Sequence, residues 1–136
     1  MTATRIALAL AAVCLAGAAE ARCLKGPRFL TEEYLRGWPI IAYGEVTSVY
    51  LDGQGNRDSY SDLQIQGVWQ GKPSNPMRIF HPDGFHGYKF EQGESYLVFV
   101  STEGERAIAT ICGPTCKGEQ CVPLISLLGE PAERLD

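Results

Sequence analysis

The sequence has no G-X-Y period, no heptad period and no internal repeat, which excludes a collagen-like or coiled-coil rod. It has no N-x-[ST] sequon, no phosphate loop and no basic run. Its formal net charge of −4 argues against a phosphate backbone or an anionic membrane surface as partner, since both need a basic footprint. There is no G-x-S-x-G elbow or other nucleophile context. Only two histidines occur, His81 and His86, around a loop containing Asp83. Zinc needs three or four protein ligands, and no fixed-spacing set is present. No metal, no cofactor and no catalytic role are therefore expected. No apolar run reaches the roughly 20 residues of a membrane-spanning helix. What is present is 136 residues, one domain's worth, of which 45% are hydrophobic, enough to build a core.

Residues 1–21 read as a signal peptide. Arg5 supplies positive charge, the run from Ile6 to Leu15 is the apolar core, and Ala19-Glu-Ala21 is an A-x-A cleavage site. Cleavage leaves a domain over 22–136 and places it outside the cytoplasm, periplasmic or secreted, with no transmembrane span. Cleavage also removes Cys14, leaving Cys23, Cys112, Cys116 and Cys121. An even count in an exported domain reads as two disulfides, with three pairings open. Cys116-Lys-Gly-Glu-Gln-Cys121 has four residues between the thiols, too many for a thioredoxin-like redox pair, and fits a local staple. Such a short loop contributes roughly 2 kcal/mol by chain entropy, whereas a Cys23–Cys112 bridge would contribute roughly 4 to 5 kcal/mol. Cys112 with Cys116, leaving Cys23 with Cys121, is the competing arrangement.

The pattern along the mature chain is that of strands. Thr31 can cap a short helix over 31–36, with Glu32 and Glu33 in its first turn and Gly37 at its end. Ile40 to Tyr50 is β-branched and aromatic and reads as a long strand, with Gly44 marking a bulge or bend. The polar run 51–58 is a loop. Ser59 to Gln70 and Met77 to His81 are the second and third strands, and 82–87 is a loop. Tyr96-Leu-Val-Phe-Val100 is uninterrupted and apolar, hence central. Ala107 to Ile111 is the fifth strand, and Pro123 to Leu128 suits a closing helix. Trp38 and Trp69 have apolar neighbours and are expected in the core or at its rim. Phe85, between glycines in its loop, is a recognition candidate. Five strands with short turns and no helical crossovers predict a mainly β fold, a small closed barrel rather than a parallel α/β domain.

The chain from 23 to about 129 resembles the netrin-like domain, the OB-type barrel of tissue inhibitors of metalloproteinases, in its small exported bacterial form. The matching words are Cys23, Ala42-Tyr-Gly-Glu-Val46, Gly67-Val-Trp-Gln-Gly71, Phe90-x-x-Gly-x-x-Tyr-Leu-Val-Phe-Val100, Ala109-Thr-Ile-Cys112 and Leu128-Gly129. The resemblance implies a five-stranded OB-type barrel with short N-terminal and C-terminal helices. It also implies that Cys23 pairs with Cys112, which leaves Cys116 with Cys121. In the family, a first cysteine two residues earlier bonds to a mid-chain Cys-Gly. Here those places fall on Ala21 and on His86-Gly87, so both halves of one bridge are missing together. The family's inhibitors chelate the protease zinc through that first cysteine. The expectation that follows is an exported, non-catalytic binding module holding a protein partner, for which an extracytoplasmic protease is one identity. Its contact surface would join Leu24 and Lys25 of the N-terminal segment, the 51–58 loop, and Phe85 and His86 of the 82–87 loop. A metalloproteinase inhibitor acting by another route, and an envelope oligosaccharide-binding barrel, are the alternatives.

Overall fold

The computed structural model describes residues 31–52, 58–81, 88–110 and 113–135. The expected signal peptide, Cys23 and Cys112 lie outside these residues. So do Leu24, Lys25, Phe85 and His86.

Helix α1 (Glu32–Leu35) starts where the sequence places a cap. The Thr31 hydroxyl accepts a hydrogen bond from the Tyr34 amide at 3.1 Å, a contact that contributes about 1 kcal/mol. Strands β1 (Ile40–Tyr50) and β2 (Tyr60–Gln70) form a long antiparallel hairpin. Its register shifts at Tyr43/Gly44, the bend that Gly44 predicts. Strand β3 (Met77–Phe80) continues beside β2. Strand β4 (Ser95–Glu103) pairs antiparallel with β1 and with β5 (Arg106–Ile108). Strand β5 then runs parallel to β3. The order β1-β2-β3-β5-β4 returns to β1, so five strands form a ring. The sheet is mixed, because β3 and β5 are joined through β4 and not through a helical crossover.

Two further strands have only two residues each. Strand β6 (Cys116–Lys117) adds to β4, and β7 (Glu133–Arg134) adds to the outer edge of β2. A 3-10 turn (Gly118–Cys121) leads into helix α2 (Val122–Leu128), which begins with Pro123 in its first turn. Within this segment the Cα atoms of Cys116 and Cys121 are 5.4 Å apart, compatible with the staple the sequence suggests.

The expected fifth strand is shorter than its sequence pattern. Ala109 leaves the ladder, and its carbonyl accepts from the Tyr88 amide at 3.2 Å. Residues 111 and 112 lie outside the described part. The partner strand β3 also ends at Phe80, opposite Ile108, so the parallel β3–β5 ladder stops there.

The core has two compartments, one on each face of β4. Inside the ring, Ala42, Val46, Leu63, Ile65, Met77, Ile79, Tyr96, Val98 and Val100 pack together. Outside it, Ile41, Trp69, Leu97 and Phe99 are covered by Leu35 of α1 and by Leu124 and Leu128 of α2. Burial on both faces explains why 96–100 is apolar without alternation. Polar ties lock the helices on. The Gln70 amide donates to the carbonyls of Arg36 and Trp38, and the Trp69 indole donates to that of Gly129 at 2.8 Å. The two tryptophans thus take core and rim places, as their neighbours predict. With both described helices on one side, neither of them covers the outer surface of β2 and β3 around Tyr60, Asp62, Arg78 and Phe80.

Candidate aromatic and arginine face

The hairpin register builds one row of side chains across that uncovered surface. Tyr50 is paired with Tyr60 across β1 and β2, and Tyr60 with Phe80 across β2 and β3. The Tyr50 and Tyr60 rings stack with centroids 5.1 Å apart, and Tyr60 meets Phe80 edge-on at 5.9 Å. Two guanidiniums cover the row. Arg78 lies 3.8 Å from the centre of the Tyr60 ring, and Arg106 lies 4.3 Å from that of Phe80. Each contact is of cation–π type, about 0.5 to 1 kcal/mol at an exposed site.

Both arginines are also paired with carboxylates. Arg78 grips Asp62 with two hydrogen bonds, at 2.9 and 3.2 Å, and Ser48 donates to the same carboxylate at 3.1 Å. Arg106 donates to Asp58 at 3.1 Å. The Arg78 bonds hold the Asp62 carboxyl below its ordinary pKa, against the desolvation that would raise it. The face is therefore pre-ordered and close to neutral. Tyr50 is 51% exposed and Leu51 69% exposed, so the row opens to solvent at the end of β1.

The row stands at the roots of both loops named by the sequence. Leu51 and Asp52 lead into 53–57, and Phe80 and His81 lead into 82–87. The loop residues Phe85 and His86, with Leu24 and Lys25, are outside the described residues and are not placed against it. Among the described residues, no group of three or more His, Cys, Asp or Glu side chains comes together to hold a metal ion. No described helix is long and apolar enough to cross a membrane.

His81 is half-buried, with Nε2 3.1 Å from the Ser61 hydroxyl and its amide donating to the Ser59 carbonyl. Ser61 has no exposed surface, so the pair joins β2 to β3 rather than presenting a nucleophile. Burial pushes the His81 pKa below its ordinary value. The sign of the consequence is fixed. Above about pH 6.5 neither state carries the proton, and His81 adds no pH dependence. As pH falls below that, the unfolded chain takes up a proton that the folded one resists, and stability drops. Asp62 acts lower, its contribution being lost as pH falls from the ordinary carboxylate range through its depressed folded pKa. Denaturant midpoints at pH 7.5 and 5.5 should therefore fall more in the wild type than in His81→Gln, which keeps a hydrogen-bonding amide near Ser61. Equal falls would contradict this role for His81.

The sequence carried one overlooked signal for the face. Tyr50 and Tyr60 lie equally far from Gly55 in the glycine-rich loop, so a hairpin centred there pairs them. Arg78, Phe80 and Arg106 gave none, because their meeting depends on the β3–β5 contact. Comparison with known proteins adds no family: no family model matches the chain, and no curated protein matches it significantly.

Proposed function

We propose that the chain is an exported, non-catalytic binding module on a netrin-like, closed five-stranded OB-type barrel. Its protein partner docks on the Tyr50–Tyr60–Phe80 row and the loops that flank it. The ring order, with its single parallel contact between β3 and β5, supports the barrel reading. The observation that carries the binding reading is the solvent-facing aromatic and guanidinium row itself. Tyrosine and arginine dominate protein–protein hot spots, and a row held by its own contacts loses little side-chain freedom on binding.

The chemistry of the row favours a protein over the alternatives. A sugar ring or base stacks on an open aromatic face. Tyr60 has Tyr50 on its β1 side and Arg78 on its β3 side, and Phe80 has Arg106 against its ring. The ring of the row most open to solvent is Tyr50, itself stacked on Tyr60 through one face. A nucleic acid backbone needs uncompensated positive charge, whereas each guanidinium here already meets a carboxylate.

The test is capture of the partner from the native extracytoplasmic fraction by the mature chain, with affinity measured for wild type and for Tyr50→Ala/Leu51→Ala. Both side chains are exposed, so the fold should survive, checked by unchanged circular dichroism. Affinity should fall by roughly 30-fold or more, the size of one hot-spot residue. Unchanged affinity in the folded variant would overturn the assignment of this face.

A further inference from the structure

At the other end of the β1–β2 hairpin the surface folds into a cleft of about 280 Å³. Tyr43 and Tyr50 are seven residues apart on β1, which puts the cleft roughly 20 Å from the aromatic row. Its walls are Trp69 and Tyr43 from the hairpin, Ile125 from α2, and Pro131 from the C-terminal segment. That segment is strapped to β2 by the β7 ladder and by the Leu135 amide, which donates to the Gln66 carbonyl at 2.9 Å. Gly67 lies beneath it. A Cβ there would meet Pro131 at 3.5 Å and Trp69 at 3.8 Å.

The geometry points to a binding site for a single neutral sugar ring in this cleft. The charged groups at its rim, Glu130 and Arg134, pair with each other, so the cleft has no net charge with which to select an anion or a cation. Its polar groups are the Tyr43 hydroxyl and the Gln66 amide, and neither is engaged by another side chain among the described residues. A purely aliphatic guest would strip water from both without replacing its hydrogen bonds. A pyranose has what the walls require: a C–H face for Ile125, Pro131 and the small exposed part of Trp69, and hydroxyls on its edge for Tyr43 and Gln66. The volume lies just below the usual range for ligand pockets, which limits the guest to one ring. This ring is a free monosaccharide or the terminal residue of a longer glycan. The site uses none of the residues of the proposed protein-binding face, and either stands without the other.

The test is a ¹⁵N NMR titration of the mature chain with N-acetylglucosamine and with its β-1,4-linked trimer. Saturable shifts of the Trp69 indole and Gln66 side-chain amide resonances in the millimolar range are expected, with Tyr50 and Tyr60 unmoved. The same affinity for both sugars assigns the free monosaccharide, and tighter binding of the trimer assigns a glycan end. Tyr43→Phe/Gln66→Ala removes the two cleft-lining polar groups while keeping the Tyr43 ring, and should weaken binding at least tenfold in a folded chain. No saturable shift with the monosaccharide, shifts centred on the Tyr50–Tyr60 row, or undiminished binding by the folded variant would overturn the site.

Discussion

Gly44→Ala is expected to destabilise the domain by about 3 kcal/mol, at the top of the range for overpacking. Gly44 lies where β1 bends between two partners, opposite Ile65 on β2 and Tyr96 on β4. A Cβ at this place would stand 2.2 Å from the Gln64 carbonyl oxygen, 2.9 Å from its carbon and 3.0 Å from the Ile65 Cα. All three atoms are backbone, held in the β1–β2 ladder, so no side-chain rotation relieves the clash. Gly93→Ala is the control. Gly93 has a φ of 87° with nothing within 4 Å of a Cβ, so only the left-handed backbone is penalised, by about 1 kcal/mol. Denaturant midpoints of the two variants measure the difference. Equal losses would mean that the close approach of β1 and β2 at Gly44 does not hold the ring together.

Phe99→Ala is expected to cost about 3 to 5 kcal/mol, a large share of the roughly 5 to 15 kcal/mol that stabilises a domain of this size. Phe99 is 1% exposed and belongs to the outer compartment, where its ring meets Trp38 edge-on at 5.7 Å. Removing it empties the layer on which α1 and α2 rest. The backbone bond from its amide to the Thr115 hydroxyl, 3.0 Å, remains, so the loss is one of packing. The melting temperature should fall by more than about 10 °C. Leu127→Ala, on the exposed side of α2 at 40% exposure, should change stability by no more than about 0.5 kcal/mol. Similar losses in both would show that the helices do not form a real second compartment.

How much was legible in the sequence depended on the length of each pattern. Strand β1 occupies the range its β-branched run predicts, and Gly44 marks its bend. The apolar run 96–100 is central, with β1, β5 and β6 all paired to its strand. Thr31 caps its helix, and Trp69 is buried where its neighbours put it. Strands β6 and β7 were not legible, because two residues show no period. The parallel contact of β3 with β5 was not legible either, since it joins strands separated by β4 and leaves no local mark. That contact brings Arg106 to Phe80, so the arginine half of the candidate face was hidden with it. Its tyrosine half was visible in principle, in the symmetry of Tyr50 and Tyr60 about Gly55. The cleft beside Trp69 was hidden for a related reason, because β7 builds one of its walls.

The central claim is that a protein partner docks at the open end of the β1–β2 hairpin. Photo-crosslinking in the cells that produce the protein tests it most directly, with a benzophenone side chain at Leu51 and, as control, at Val122. Both positions are well exposed, at 69% and 59%, but Val122 lies on α2, the helix that covers the opposite compartment. The account predicts one dominant crosslinked protein from position 51, lost when Tyr50 is alanine, and none of that species from position 122. The same species from both positions, or no crosslink from position 51 with the protein folded, would contradict it.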